Sequence, residues 1–109
     1  MAIGTITIDN ALRTGSEPLK AFEMHHTGEA AYVKGTGTAS FEAAVRTAAA
    51  DGGLTLVGIV ANMSATNPKY IPQYDAAADA LKILDVSAGD EAANGNYGTT
   101  TFYYTALCV

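Results

Sequence analysis

Thr99-Thr100-Thr101-Phe102-Tyr103-Tyr104-Thr105-Ala106-Leu107-Cys108-Val109 is β-branched and aromatic to its last residue and carries no charge. That composition predicts a strand. A strand of this kind with an open edge is a template for pairing with other chains. It must therefore be paired on both sides or covered. A subunit of an assembly can leave the cover to a neighbour.

Working back from this strand, residues 87–98 are rich in Gly, Asn and Asp and read as a loop. Residues 69–74 place Tyr70 and Tyr74 on one face, and Pro72 has no N–H to give to a ladder, so an edge strand or a bulge is expected. Residues 80–86 follow as the hairpin partner across Asp75-Ala76-Ala77-Ala78-Asp79. Residues 54–62 are apolar on both faces, with Leu54, Leu56 and Val60 against Val57, Ile59 and Ala61. A strand of that kind is expected in the middle of a sheet or between layers. Gly58 within it predicts a bulge or the close approach of another backbone.

Residues 39–50 are the helix candidate. Phe41, Ala44, Val45 and Ala48 fall at i, i+3, i+4 and i+7. Ser40 or Thr38 can cap the start, and Asp51-Gly52-Gly53 can end it. Residues 19–27 and 29–34 predict two strands joined by a tight turn at Thr27-Gly28. Over residues 3–8, Ile6 and Ile8 alternate with Thr5 and Thr7, a period-two strand that Asp9-Asn10 would end in a turn. Residues 1–18 can equally form an extended arm. The expected fold is mainly β: an antiparallel β-sandwich or small barrel with one short α-helix at about residues 39–50, in one domain spanning 1–109.

A chain of 109 residues has room for one core. The net charge is −5, and Arg13, Lys20, Lys34, Arg46, Lys69 and Lys82 are scattered, which argues against binding a nucleic-acid backbone. Much of the apolar fraction is Ala; Leu, Ile, Val and Phe make up about a fifth of the chain. The core is thin, and association is one way small domains offset that. Cys108 is the one cysteine, so no internal disulfide is possible, and a buried apolar role is expected for it. No apolar run approaches the roughly 20 residues of a membrane helix, and no basic segment followed by an apolar one predicts a secretory leader.

Chemistry is sparsely signalled. His25 and His26 are adjacent, so in a strand their rings point to opposite faces and cannot chelate one ion together. Asp75, Asp79, Asp85, Asp90 and Glu91 lack the spacing of a calcium loop and fit turn chemistry instead. Gly35-Thr36-Gly37-Thr38 precedes the helix without the lysine of a phosphate loop. Ser40 and Ser64 lie in no nucleophile elbow. No catalytic residue, metal site or cofactor is expected. Five of six tyrosines fall in the second half, where they suit either an interface or a sandwich core.

Lys69-Tyr70-Ile71-Pro72-Gln73-Tyr74-Asp75, then Ala80-Leu81-Lys82-Ile83, then Gly89-Asp90-Glu91-Ala92-Ala93-Asn94-Gly95 and the final Thr/aromatic strand form an ordered series. Over roughly residues 53–109 this order resembles small virion structural proteins of tailed bacteriophages. The first half, with its Ala-rich helix, departs from that pattern. The resemblance implies a capsid decoration (cement) protein. Such a protein is made in the host cytoplasm, sits on the capsid exterior and clamps neighbouring major capsid subunits. It implies a homo-oligomer, with a trimer favoured, and no nucleic-acid or membrane partner. Phe102, Tyr103, Tyr104 and Leu107 are then the expected subunit contacts, and the arm around Ile6 and Ile8 is expected to reach the lattice or a neighbour. The alternatives are a tail- or fibre-associated virion subunit, or a small carbohydrate- or ligand-binding β-sandwich with Tyr70 and Tyr74 as platform. An enzyme is supported by the His pair alone.

Overall fold

A computed structural model, which describes residues 3–13, 19–62 and 67–109, places the terminal strand in the interior of a sheet. The elements in chain order are β1 (Thr7–Arg13), β2 (Lys20–Thr27), β3 (Thr38–Ala39), α1 (Phe41–Ala49), β4 (Leu56–Asn62), β5 (Tyr70–Asp75), β6 (Ala80–Asp85), β7 (Asp90–Glu91) and β8 (Thr101–Cys108). They form two antiparallel sheets. The larger has the order β1-β2-β8-β4; in the smaller, β6 lies between β3 and β5 and also pairs with β7. The fold is mainly β with one short helix, as expected, and of the two expected architectures it is consistent with the sandwich.

β8 alternates as a half-buried strand should. Phe102, Tyr104, Ala106 and Cys108 are buried, while Thr101, Tyr103, Thr105 and Leu107 turn the other way. One side pairs with β2 from Lys20↔Cys108 to Thr27↔Thr101; the other pairs with β4 from Leu56↔Cys108 to Asn62↔Tyr103. The cover that its sequence demands is thus supplied by strands of the same chain. Between the layers, Phe22 and Met24 of β2 meet Phe41 and Val45 of α1, Leu81 and Ile83 of β6, and Tyr104. The Phe41 ring lies 5.8 Å from that of Tyr74 and 5.9 Å from that of Tyr104, so one helical residue joins both sheets.

Several sequence expectations are corrected by the fold. β4 lies at an edge, not in the middle: among the described residues it pairs only with β8. Its two apolar faces reflect a buried side and a side left open. Gly58 does mark a bulge, since the register shifts between Leu56 and Gly58, but no other backbone crowds it. Residues 29–34 form no strand. Thr27-Gly28 leads instead into turns tied down by a single bridge between Tyr32 and Gly95, with the Tyr32 ring buried. The first strand begins at Thr7 and runs through Asp9-Asn10, because a register shift between Ile8 and Asn10 absorbs the expected turn. Residues 3–13 lie against the body: the Gly4 N–H donates to the Thr27 carbonyl at 2.8 Å, and Ile3, Ile6 and Ile8 pack on the core. The loop at 87–98 contains the short β7.

The helix starts without the expected cap. Ser40 is left-handed (φ 58°) and its side chain caps nothing. The Glu42 N–H donates instead to Asp79 Oδ1 at 2.9 Å, a carboxylate brought from the β5–β6 turn. The same oxygen accepts from the Tyr74 hydroxyl at 2.9 Å, and burial with this bond raises the Tyr74 pKa to about 12. β5 is the edge strand that Pro72 predicts. The Val86 N–H donates to the Lys69 carbonyl, so alternation puts Tyr70, Pro72 and Tyr74 at the non-bonded positions, and the missing N–H of Pro72 faces the open side.

Candidate functional site

The outer face of the larger sheet is set by its registers. Leu12, Ala21, Leu107 and Gly58 form one row across β1, β2, β8 and β4. The next row is Asn10, Glu23, Thr105 and Val60, and the third is Thr7, His25, Tyr103 and Asn62. The two ends of the face differ. At one end, His25 Nδ1 lies 2.8 Å from Asp9 Oδ2, and the His25 ring lies 5.2 Å from that of Tyr103. At the other, Leu12, Val57 and Val109 are all about half exposed beside Ala21 and Leu107. Neither sheet β3-β6-β5 nor α1 covers this side, because both pack on the inner face. Among the described residues, an apolar band thus stands open on a chain of net charge −5.

The residues expected at interfaces divide between the two faces. Tyr103, 37% exposed, and Leu107 lie on the outer face. Phe102 and Tyr104 are each 1% exposed and pack inside the chain's own core, so their side chains are not presented to a neighbour. Ile8 faces inward opposite Met24, and Ile6 is half-buried beside α1 along a shallow groove that also includes Ile3, Ala44 and Ala48. Leu12, Val57, Val60 and Val109 belong to the outer face and escaped sequence reasoning. Val57 and Val60 are three apart, so a strict period of two puts them on opposite faces, and only the bulge brings both outward.

The polar groups have structural partners. His26 points inward, as adjacency to His25 requires; its Nδ1 lies 2.7 Å from the Tyr104 hydroxyl, while among the described residues its Nε2 has no partner. Burial first, and the neighbouring His25 second, lower its pKa to about 4. Burial also pushes the Tyr104 hydroxyl and the Cys108 thiol up, so neither is an activated nucleophile. The carboxylates serve turns: Asp85 accepts from the Ser87 N–H at 3.0 Å and its hydroxyl at 2.6 Å, and Glu91 accepts from the Tyr32 hydroxyl at 2.7 Å and the Gly35 N–H at 2.8 Å. Among the described residues no three His, Cys, Asp or Glu side chains converge to hold a metal ion. Tyr70 and Tyr74 offer no flat platform. Both are partly buried, with the Tyr70 ring edge-on to Tyr97 at 5.1 Å and the Tyr74 ring against Phe41.

No family model matches the chain, and no curated protein or solved structure does so either.

Proposed function

We propose that the chain is a capsid decoration (cement) protein of a tailed bacteriophage, binding the outside of the major capsid lattice through protein–protein contacts. The observation that supports this reading is the open apolar band of Leu12, Ala21, Leu107, Val57 and Val109 on one sheet face. An uncharged band spread across four strands of an acidic domain suits a broad protein surface better than a small ligand, which takes a concave site with converging polar groups. The mechanism is mass action. A chain that binds only the assembled lattice stabilises it by its binding free energy, repeated over many sites. No covalent chemistry is required of it, and its working place is the capsid exterior.

The test is co-sedimentation with expanded heads of the phage that encodes the chain. Binding is expected to saturate at a fixed ratio to the major capsid protein. Leu12→Lys and Val109→Lys, both at exposed positions, are expected to weaken it by about tenfold or more while leaving the fold intact. Heads that take up no chain would overturn the reading. Undiminished binding by both variants would move the contact off this face.

A further inference from the structure

We infer that β4 is a pairing edge for a second copy of this chain, joined antiparallel to its own β4 across a two-fold axis at Val60. This inference is independent of the capsid reading. Thr55 and Val109 exchange both backbone hydrogen bonds, each at 2.9 Å. Odd-numbered residues of β8 therefore face β4, and through the register Gly58, Val60 and Asn62 are the residues bonded to it. Alternation directs the N–H and C=O of Ile59 and Ala61 to the open side. A row of such groups is a ready template for another strand.

The other edges are blunted. β5 has Pro72 at a position facing outward. β3 and β7 are two residues long. β1 has a register shift after Ile8, and the charged Asp9 lies at that shift. β4 beyond its bulge has no charge and no proline, and the sequence has no charged residue from 52 to 68. On a chain of net charge −5 this is where two copies approach with least repulsion.

The occupant is chosen by fit. With the axis at Val60, Ile59 of one copy lies opposite Ala61 of the other, on the inward face at both ends of the pair. Large meets small twice, and these two pairs are the ones whose backbone groups point outward. On the other face Val60, 56% exposed, meets its own copy as a close non-bonded pair. Along this edge runs a groove of about 530 Å³, lined on its far side by Ile71, Pro72, Gln73 and Tyr74. The incoming Ile59 and Ala61 would face the half-buried Ile71 and Tyr74 across it. Such a contact is isologous and closes as a dimer, not as a ring of three.

The test is light scattering over a dilution series of the purified chain, with Val60→Lys, Val60→Glu and their equimolar mixture. The wild type is expected at twice the 11.2 kDa chain mass at high concentration, dissociating on dilution. Each variant alone is expected to dimerise at least about tenfold more weakly, because like charges meet at the axis, and the mixture is expected to recover association. Val60 is exposed, so thermal melts of both variants, taken at a dilution where the wild type is monomeric, should match the wild type and exclude misfolding. A wild type that stays monomeric, a trimer, variants that associate unchanged, or a mixture that does not recover would each overturn the two-fold at Val60. Leu12→Lys, on the opposite edge strand, is expected to leave the mass unchanged. Because no capsid enters this experiment, its result stands apart from the co-sedimentation.

Discussion

β8 and β4 lie side by side in one sheet, and both are strongly apolar and uncharged. Their surroundings differ. β8 has a strand on each side, and Phe102, Tyr104, Ala106 and Cys108 are at most 1% exposed. Among the described residues β4 has one neighbour; Leu56 is its one buried side chain, and Val57 and Val60 are each 56% exposed. Apolar content is thus no measure of what a strand does for stability. The number of partners and the register against the inner face decide it. Burial is concentrated along β8, and among the described residues one edge of β4 is left open.

The strongest way to break that contrast is a truncation on each strand. Phe102→Ala removes a ring packed 5.9 Å from that of His26 in a closed interior and is expected to lower stability by about 3–5 kcal/mol in urea denaturation. Val60→Ala removes methyls that already face water and is expected to change it by no more than about 0.5 kcal/mol in the monomer. Comparable losses would mean that β8 is not the stabilising centre.

Acid is the next largest probe, and it too acts at β8. His26 of β2 sits under Tyr104, its ring held neutral by burial to a pKa of about 4, against 6.5 when unfolded. The unfolded chain therefore takes up a proton at a higher pH than the folded one. This contribution to stability is fully present above pH 6.5 and is lost as pH falls toward 4, by about 3 kcal/mol in all. Asp75, Asp85 and Asp90, lowered by hydrogen bonds to Lys82, Ser87 and Lys34, lose theirs only at more acid pH. Urea midpoints measured from pH 7 to 4 should show the fall in the wild type and not in His26→Phe. The same slope in both would remove His26 as its cause.

How far these differences are legible in the sequence depends on which interactions set them. The strands at 20–27, 70–75, 80–85 and 101–108 show in local alternation and turn residues, because their inner faces obey a period of two. The edge position of β5 shows through Pro72, a local constraint. The edge position of β4 does not. It follows from which strand β8 finds as its second neighbour, a long-range pairing that 54–62 does not encode by itself. Asp79 as the helix cap is hidden for the same reason: donor and acceptor are 37 residues apart. Turns at 29–37 replaced the expected strand because Tyr32 reaches across to Glu91 and to the Ile83 N–H, contacts with no local signature. Of the outer face, Tyr103 and Leu107 were visible through the alternation of β8, and Val57 and Val60 were hidden by the bulge.

Two glycines bring the contrast to its smallest scale. A Cβ on Gly28, just past β2, would meet Phe102, Tyr97 Cβ and the Tyr97 carbonyl, each at 2.8 Å. Two of the three atoms cannot swing away, so Gly28→Ala is expected to cost about 1–3 kcal/mol through displaced packing. A Cβ on Gly58 would meet nothing within 4 Å, and its backbone is not left-handed. Gly58→Ala then acts mainly on the unfolded chain, whose freedom it reduces, and is expected to raise stability by about 0.4–1 kcal/mol. Thermal melts of the two variants in the monomer give the comparison directly. The informative quantity is the sign. Loss at residue 28 with gain at residue 58 is what a filled centre and an open edge require. Loss at both would mean that β4 is packed as tightly as β8, and its edge would then have no room for a second strand.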